Sequence, residues 1–444
     1  MANSYLQRSG ANSGASGTTA TVSMWVRKLD ESAGDGGFFQ FWSSGSNFCS
    51  AYANPVLKMR NFISGGYSQG DITCNRKLRD NGSWYHLQCV WDTTNSTAGD
   101  RMRIYINGVR ETSFSSSTNP SSSYAFGPLE SGTFYLNRYN ANTTTGSQNY
   151  SHVHYCDGYA YEPTVFGETD STTGQWEIIT SPSCSYGSNG FFILKDGNST
   201  TDQSGNNKTF SITGTLTNTE DNPSNVFATL NPLVPIGANF SNGNLTHSTT
   251  SGSYKSALTT LGVSSGKWYC EVKYTTDTGY TGIGVANFEK GNINSITYLG
   301  DSTNSVSFFA GAQTLYYNAG NPSWTGASCV NGDIIGIALD IDNGFIYWHK
   351  NGTYMNSGVP TSGATGTGGY AISNIANSDG SGTYAFGVST AATAGTRTLT
   401  CNFGNGYFAT TAISSEGTNA SGIGKFEYDV PAGYAGLSTK GLNL

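Results

Sequence analysis

Gly332-Asp-Ile-Ile-Gly-Ile-Ala-Leu-Asp-Ile-Asp-Asn-Gly-Phe-Ile-Tyr-Trp-His-Lys-Asn-Gly352 is the stretch that decides the fold. Asp333 to Asp340 is the most apolar strand candidate in the chain, too short and too rich in β-branched residues for a buried helix. Ile341-Asp-Asn-Gly344 supplies turn chemistry, and Phe345-Ile-Tyr-Trp348 is a second strand. Asn351-Gly352 then closes that strand, because both residues tolerate positive φ. The whole run therefore reads as an antiparallel meander.

The same pattern extends outward on both sides. Lys267-Trp-Tyr-Cys-Glu-Val-Lys273 alternates, and Gly282-Ile-Gly-Val285 is a glycine-bearing core strand. Val306 to Ala310 and Thr314 to Tyr317 form a further pair, with Tyr384-Ala-Phe-Gly-Val388 and Thr398 to Phe403 completing the set. Nearer the start, Thr21-Val-Ser-Met-Trp-Val26 places Val22, Met24 and Val26 on one face. Phe38 to Trp42, Trp84 to Trp91, Arg101 to Ile106, Val109 to Phe114, Gly132 to Asn137 and Val153 to Tyr161 are the other strands. No segment keeps a helical period.

Composition agrees. Charged residues are 11% of the 444, so Ser, Thr, Asn and Gly must cover the surface, and these are poor helix formers. Tyr 27, Phe 22 and Trp 8 exclude a disordered chain and suffice for two cores. The fold class is all-β, with two β-sandwiches, which the resemblances described below make jelly-roll or concanavalin-like. The expected division is a sandwich over 1–167, a connecting module over 168–232, a sandwich over 233–408 and a Gly/Ser-rich tail over 409–444.

Several function classes are excluded at this level. A net charge of -7, with 11 of the 22 basic residues scattered through residues 1–110, does not make the clustered cation surface that nucleic acid requires. Arg76, Lys77 and Arg79 read as a solvated loop. The opening Met1 to Arg8 has no apolar signal core, and no apolar run is long enough to span a bilayer. The eight cysteines (49, 74, 89, 156, 184, 270, 329, 401) lack CxxC spacing and are expected as buried free thiols. Sequons such as those at Asn95 and Asn351 are chance matches in so Asn- and Ser-rich a chain.

The second block has enough fixed positions to resemble a SPRY domain over about 233–408. Gly266-Lys-Trp-Tyr-Cys-Glu-Val, Gly282-Ile-Gly-Val, and Gly332 to Gly344 with Trp348-His-Lys-Asn-Gly352 carry that resemblance. Residues about 1–167 resemble a laminin-G-like jelly roll through Val22-Ser-Met-Trp-Val26, Trp84-Tyr-His-Leu87, Tyr105-Ile-Asn-Gly108 and Asp157-Gly-Tyr-Ala-Tyr161. The pairing is similar to virion proteins of marine bacteriophages. Met1-Ala-Asn-Ser-Tyr-Leu, Phe166-Gly-Glu-Thr-Asp170, Asp221 to Phe227, Pro431-Ala-Gly-Tyr434 and Leu437 to Leu444 carry that likeness. It implies a tail-fibre, tail-spike or head-decoration component on the particle surface, made without an export signal. Its partners would be other virion proteins and a host-surface glycan or receptor, in a homo-oligomer, a trimer if a fibre.

Candidate sites follow from side-chain chemistry. The concanavalin-like glucanases need a Glu-x-Asp-x-x-Glu strand to supply an acid and a nucleophile. Glu427-Tyr-Asp429 lacks the second Glu, and Asp340 and Asp342 sit at a strand end where Asp holds backbone N–H groups. Gly66-Tyr-Ser-Gln-Gly70 matches Gly-x-Ser-x-Gly but lacks the strand–turn–helix context. The expectation is therefore no enzyme. His152-x-His154-x-Cys156 is the metal candidate, weighed against two imidazoles half-buried in a sandwich. No cofactor is expected; calcium at the Asp92 and Asp100 loop is conceivable without a motif. Sugars dock on aromatic faces edged by Asn and Asp. Tyr280, Tyr316, Tyr317, Asn318 and Trp324 are the ligand-binding candidates, weighed against a role in packing the rim.

Overall fold

The computed structural model describes residues 4–9, 15–28, 36–53, 56–79, 83–139, 148–195, 199–214, 216–233, 238–276, 280–290, 296–392 and 395–443. The quoted Met1 to Asn3 and Leu444 lie outside them. The chain is 44% strand and 6% helix, all-β as expected. It divides into two compact units, 1–218 with 222–224, and 219–221 with 225–444.

In the first unit, an eight-stranded antiparallel sheet runs in the order 114–118, 71–77, 56–63, 47–53, 36–44, 133–136, 5–8, 211–213. A six-stranded sheet runs 191–193, 148–157, 19–28, 84–92, 102–106, 109–110. The alternation sets the core. Val22, Met24 and Val26 of one sheet meet Phe39, Phe41, Leu57 and Met59 of the other. Trp91 is fully buried, and its indole N–H donates to Asn61 Oδ1 at 3.0 Å across the sandwich. The expected return strand 109–114 divides. Val109–Arg110 closes the hairpin, while Phe114–Thr118 crosses to the edge of the eight-stranded sheet.

The boundary expected at 167 does not fall there. Phe191–Ile193 pairs with Gln148–Asp157, and Ser211–Thr213 pairs with Tyr5–Arg8, so this stretch completes both sheets. The segment from Tyr159 to Tyr186 covers the outer face of the six-stranded sheet. Thr21 Oγ1 donates to Tyr159 O at 2.8 Å, Gln88 Nε2 to Tyr161 O at 2.7 Å, and Tyr105 OH to Glu162 Oε2 at 2.9 Å. This is why Thr19–Lys28 is buried on both faces rather than on one. A polar, short-stranded stretch reads as a connector because its contacts are long-range hydrogen bonds and not an apolar period.

The second unit pairs a nine-stranded sheet with a five-stranded one. The first runs 239–241, 246–249, 397–402, 267–276, 334–340, 345–350, 353–354, with 370–371 and 435–436 added at 345–350 and 267–276. The second runs 255–258, 384–390, 281–287, 305–309, 314–317. Ile335, Ile337, Leu339, Ile346 and Trp348 face Ile283, Val285, Val306, Phe308 and Phe386 in one core. Trp348 is fully buried, and its N–H donates to Ile283 O at 3.0 Å in the opposite sheet.

The polar positions of the deciding stretch are structural. Asp333 takes the Asn351 amide at 2.7 Å, the Val330 N–H at 2.7 Å and the Lys350 ammonium at 3.0 Å. Asp340, buried, takes the Asn343 side-chain amide at 2.8 Å and Lys267 at 3.0 Å. Asp342 accepts the Gly266 N–H at 2.7 Å. Gly336 has no room for a β-carbon, because the His349 ring would lie 1.9 Å from it.

The region expected as a tail from 409 is packed instead. Phe426, Val430 and Tyr434 bury against Tyr269, Ala338 and Tyr347 on the outer face of the nine-stranded sheet. The anchor is Glu271, fully buried on that face. Its carboxylate accepts the Glu427 and Tyr428 backbone N–H groups at 2.9 Å each, the Tyr269 hydroxyl at 3.1 Å and the Asn402 amide at 3.3 Å. Gly352 N–H donates to His349 Nδ1 at 3.1 Å, which leaves Nε2–H to donate to the Tyr269 oxygen at 2.6 Å.

Candidate functional site

One outer face in the second unit collects aromatic rings at its surface. In Ser305–Phe309 the core takes Val306 and Phe308, so Phe309 points outward. Phe309 rests over Gly282, where a β-carbon would lie 2.5 Å from its ring. Around it stand Tyr316 at 4.5 Å between ring centroids, Tyr298 at 5.7 Å and Tyr254 at 5.9 Å. Tyr254 also meets Tyr298 at 4.9 Å and Tyr280 at 6.3 Å. Phe309 is buried, Tyr280 exposed, and Tyr254, Tyr298 and Tyr316 half-buried. Four phenols thus crown one buried phenyl ring.

Polar groups edge this cluster. Asp301 Oδ2 accepts the Thr297 N–H at 2.6 Å and fixes the turn that carries Tyr298. That turn lies close against the sheet through serines: Ser256 Oγ donates to Thr297 O at 3.0 Å, and Leu299 N–H to Ser389 Oγ at 2.9 Å. Asn318, exposed with φ 52°, donates its backbone N–H to Ser302 O at 3.3 Å. The Arg397 guanidinium lies 5.6 Å from the Tyr280 ring centroid. Burial, with the neighbouring phenols, pushes Tyr254 up to about 12, and burial also raises Tyr298. These hydroxyls therefore stay protonated and able to donate at neutral pH.

The sequence candidates divide. Tyr280, Tyr316 and Asn318 come together at or beside the cluster. Tyr317 and Trp324 do not: strand alternation turns Tyr317 to the core side, and Trp324, in the loop after that strand, packs into the core. Tyr317 OH donates to Asn374 O at 3.0 Å, and Trp324, packed 5.5 Å from Trp348, donates to Gly368 O at 3.2 Å. Sequence reasoning missed Tyr254, Tyr298, Phe309 and Asp301. The out-of-phase pair Phe308-Phe309 is the signal that could have found Phe309, since one of two adjacent aromatics must leave the core.

The other candidates have structural partners. His154 Nδ1 lies 3.0 Å from Tyr186 OH, and its ring stacks on Phe192 at 4.0 Å. His152 packs on the same Phe192 at 5.7 Å. Among the described residues no group of three or more His, Cys, Asp or Glu is arranged to hold a metal ion. Asp100 pairs with Arg110 at 2.6 Å, and Asp92 accepts the Thr94 hydroxyl at 2.6 Å. Asp429 accepts the Thr418 N–H at 2.7 Å.

One pair has the look of a nucleophile and base: Ser23 Oγ lies 2.8 Å from His86 Nε2. Trp176 Nε1–H donates to His86 Nδ1 at 3.0 Å, so the proton sits on Nε2 and points at the serine. Burial depresses His86 to about 3. This imidazole is a donor to Ser23 and does not draw its proton. No helix among the described residues is long and apolar enough to cross a membrane.

Comparison with known proteins assigns both units. Residues 2–150 match the family model described as the concanavalin A-like lectin/glucanases superfamily, and residues 267–380 match the SPRY domain. The chain carries a concanavalin-like domain and a SPRY domain. Together these suggest a binding function. Among solved structures, the SPRY domain of human HERC1 is 17% identical, covering 39% of this chain and 96% of that one, with a TM-score of 0.30. The TRIM65 PSpry domain is 14% identical, covering 39% and 91%, with a TM-score of 0.29. A SAP-like pentraxin from Limulus polyphemus is 15% identical, covering 48% and 88%, with a TM-score of 0.30. No curated protein matches the chain.

Proposed function

We propose that this chain is a non-catalytic binding protein of a virus particle surface, and that its SPRY unit holds a host-surface saccharide on the Tyr254, Tyr280, Tyr298 and Tyr316 cluster. The observation that carries the binding reading is the cluster itself. Half-buried phenols around Phe309 offer ring faces to the C–H faces of a pyranose, while Asp301 and Asn318 stand at the edge for its hydroxyls. The virion setting is supported by the sequence resemblance of the opening, middle and closing segments. The non-catalytic reading is supported by carboxylates engaged in turns and by the reversed proton of the Ser23–His86 pair.

The test is a glycan array followed by titration of the best hit. Tyr298→Ala and Tyr316→Ala are each expected to weaken binding at least about tenfold, the worth of one well-placed ring. Unchanged affinity in both, or wild-type protein that holds no glycan, would overturn the site. Antibody labelling of intact particles tests the setting separately. Labelled particles without glycan binding would point to an architectural part.

A further inference from the structure

Beside the phenol cluster, the core of the second sandwich ends in polar groups. Tyr254 and Tyr280 stand 6.3 Å apart between ring centroids, and strand alternation turns the residue after each of them inward. Lys255 shares the inner face of its strand with Ala257, and Thr281 shares that of Ile283 and Val285. Both are registered with Thr390, so Lys255, Thr390 and Thr281 form one row across the five-stranded sheet. The facing sheet contributes His247 and Arg397. His247 is registered with Leu399, and Arg397 lies two residues before Leu399 on the same inner face. His247 Nδ1 lies 3.3 Å from Thr390 Oγ1 and joins the two sheets there. The buried Arg397 guanidinium reaches the Tyr280 ring. These positions make a closed ring of neighbours at one end of the sandwich.

Two atoms in that ring lack a partner. His247 and Thr281 are 0% and 1% exposed, and neither His247 Nε2 nor Thr281 Oγ1 has a hydrogen bond. Burial depresses His247 to about 4, so its imidazole is neutral at pH 7. With the Thr390 hydroxyl donating to Nδ1, the ring proton sits on Nε2. The group without a partner there is a donor, and the Thr281 hydroxyl can donate as well. A buried donor left without an acceptor is costly, so both call for an occupant that brings oxygen lone pairs. The cations Lys255 and Arg397 flank them. Among the described residues no carboxylate pairs with the half-buried Lys255 ammonium. Donors and positive charge together match an anion.

We propose that the saccharide held on the Tyr254, Tyr280, Tyr298 and Tyr316 cluster is an acidic one, and that its carboxylate enters this end of the sandwich, where Lys255 and Arg397 meet its charge while His247 Nε2–H and Thr281 Oγ1–H donate to its oxygens. This rests on the saccharide reading and names the sugar class within it. A uronic acid has the required form, because its carboxylate is attached to the pyranose ring whose C–H face a phenol takes. A neutral hexose carries a hydroxymethyl group at that place and leaves the cations without a charge, which is a basis for strong discrimination.

Calorimetric titration of the full-length protein with methyl glucuronide, methyl glucoside and acetate tests this. Wild type is expected to bind the glucuronide at least about tenfold more tightly than the glucoside. Lys255→Gln and Thr281→Val are each expected to lower that ratio at least about threefold, whereas Tyr316→Ala is expected to weaken both sugars and leave the ratio unchanged. Melting curves establish that the variants fold; should Thr281→Val fail to fold, the ratio in Lys255→Gln decides. Equal affinity for the two sugars, both weakened by Tyr316→Ala, would overturn the acidic subsite and leave the phenol cluster standing, with water serving the buried donors. Acetate bound by wild type and lost in Lys255→Gln, with neither sugar bound, would overturn the saccharide reading and keep the anion site. A ratio that neither Lys255→Gln nor Thr281→Val changes would overturn the assignment to these residues.

Discussion

Glu271→Gln sets two opposing effects against each other at one buried atom group. Burial disfavours the carboxylate, while four donors, two of them backbone N–H groups, favour it. Burial dominates and lifts Glu271 to about 7 from its ordinary 4.5. The folded protein therefore binds this proton more tightly than the unfolded chain. Its contribution to stability is fully present below about pH 4.5 and is lost as pH rises through about 7. Between pH 5 and pH 8 the loss is about 2–3 kcal/mol, at about 1.4 kcal/mol per pH unit where the folded and unfolded states differ by one proton. Gln carries no charge at any pH, although its amide nitrogen cannot accept the donors that one carboxylate oxygen takes. The variant should therefore lack the wild-type loss of about 2–3 kcal/mol between pH 5 and pH 8, whatever its stability at pH 5. Urea titrations at both pH values measure this, and amide exchange at Glu427 and Tyr428 assigns it to this anchor. A variant whose stability falls between pH 5 and pH 8 as much as wild type's would refute the reasoning, because the loss would then not come from the Glu271 proton.

Three further outcomes are expected. Gly336→Ala forces a methyl into the His349 ring and should cost about 1–3 kcal/mol, much of it recovered in a His349→Ala background; equal penalties in both backgrounds would count against the clash. Trp348→Phe removes the N–H bonded to Ile283 O and leaves a void, and should lower the second unit's unfolding free energy by about 2–4 kcal/mol in denaturant. Buried His86 and His349 are each depressed to about 3, so the unfolded chain alone gains their protons as pH falls below about 6.5. A His349→Gln variant should show a shallower loss of stability between pH 6.5 and pH 4 than wild type.

The second sandwich was legible because its meander is local. Apolar run, Asp-Asn-Gly turn, aromatic strand and Asn-Gly turn follow one another within residues 332–352, and each signal agrees with the next. The binding candidates were half legible. Tyr280 and Tyr316 were found as aromatics near turns, but Tyr317 and Trp324 share that description and differ only in packing toward the core, Tyr317 from the inner strand face and Trp324 from a loop. Tyr254 and Tyr298 come from loops far apart in sequence, and only the sheet brings them to Phe309. The domain edges were the least legible. What fastens Tyr159 to Tyr186, or Phe426 to Tyr434, is a set of partners 57 to 138 positions away or a single buried acid, and neither leaves a period in the sequence.

The two covering segments also govern where the chain can be cut. On the ribosome most strands of each covered sheet are synthesised before its cover, so each unit passes through a stage with one face bare. A fragment that stops at residue 150 loses its cover and most of strand 148–157, and one that stops at residue 380 loses its cover with strands 384–390 and 397–402. The first would present Trp25 and His86 to water without Trp176; the second would present Glu271, Tyr269 and Tyr347 without Phe426 and Tyr434. Fragments for crystallisation or binding work that run to 218 and from 225 to 444 keep both covers and should stay soluble where the shorter ones associate.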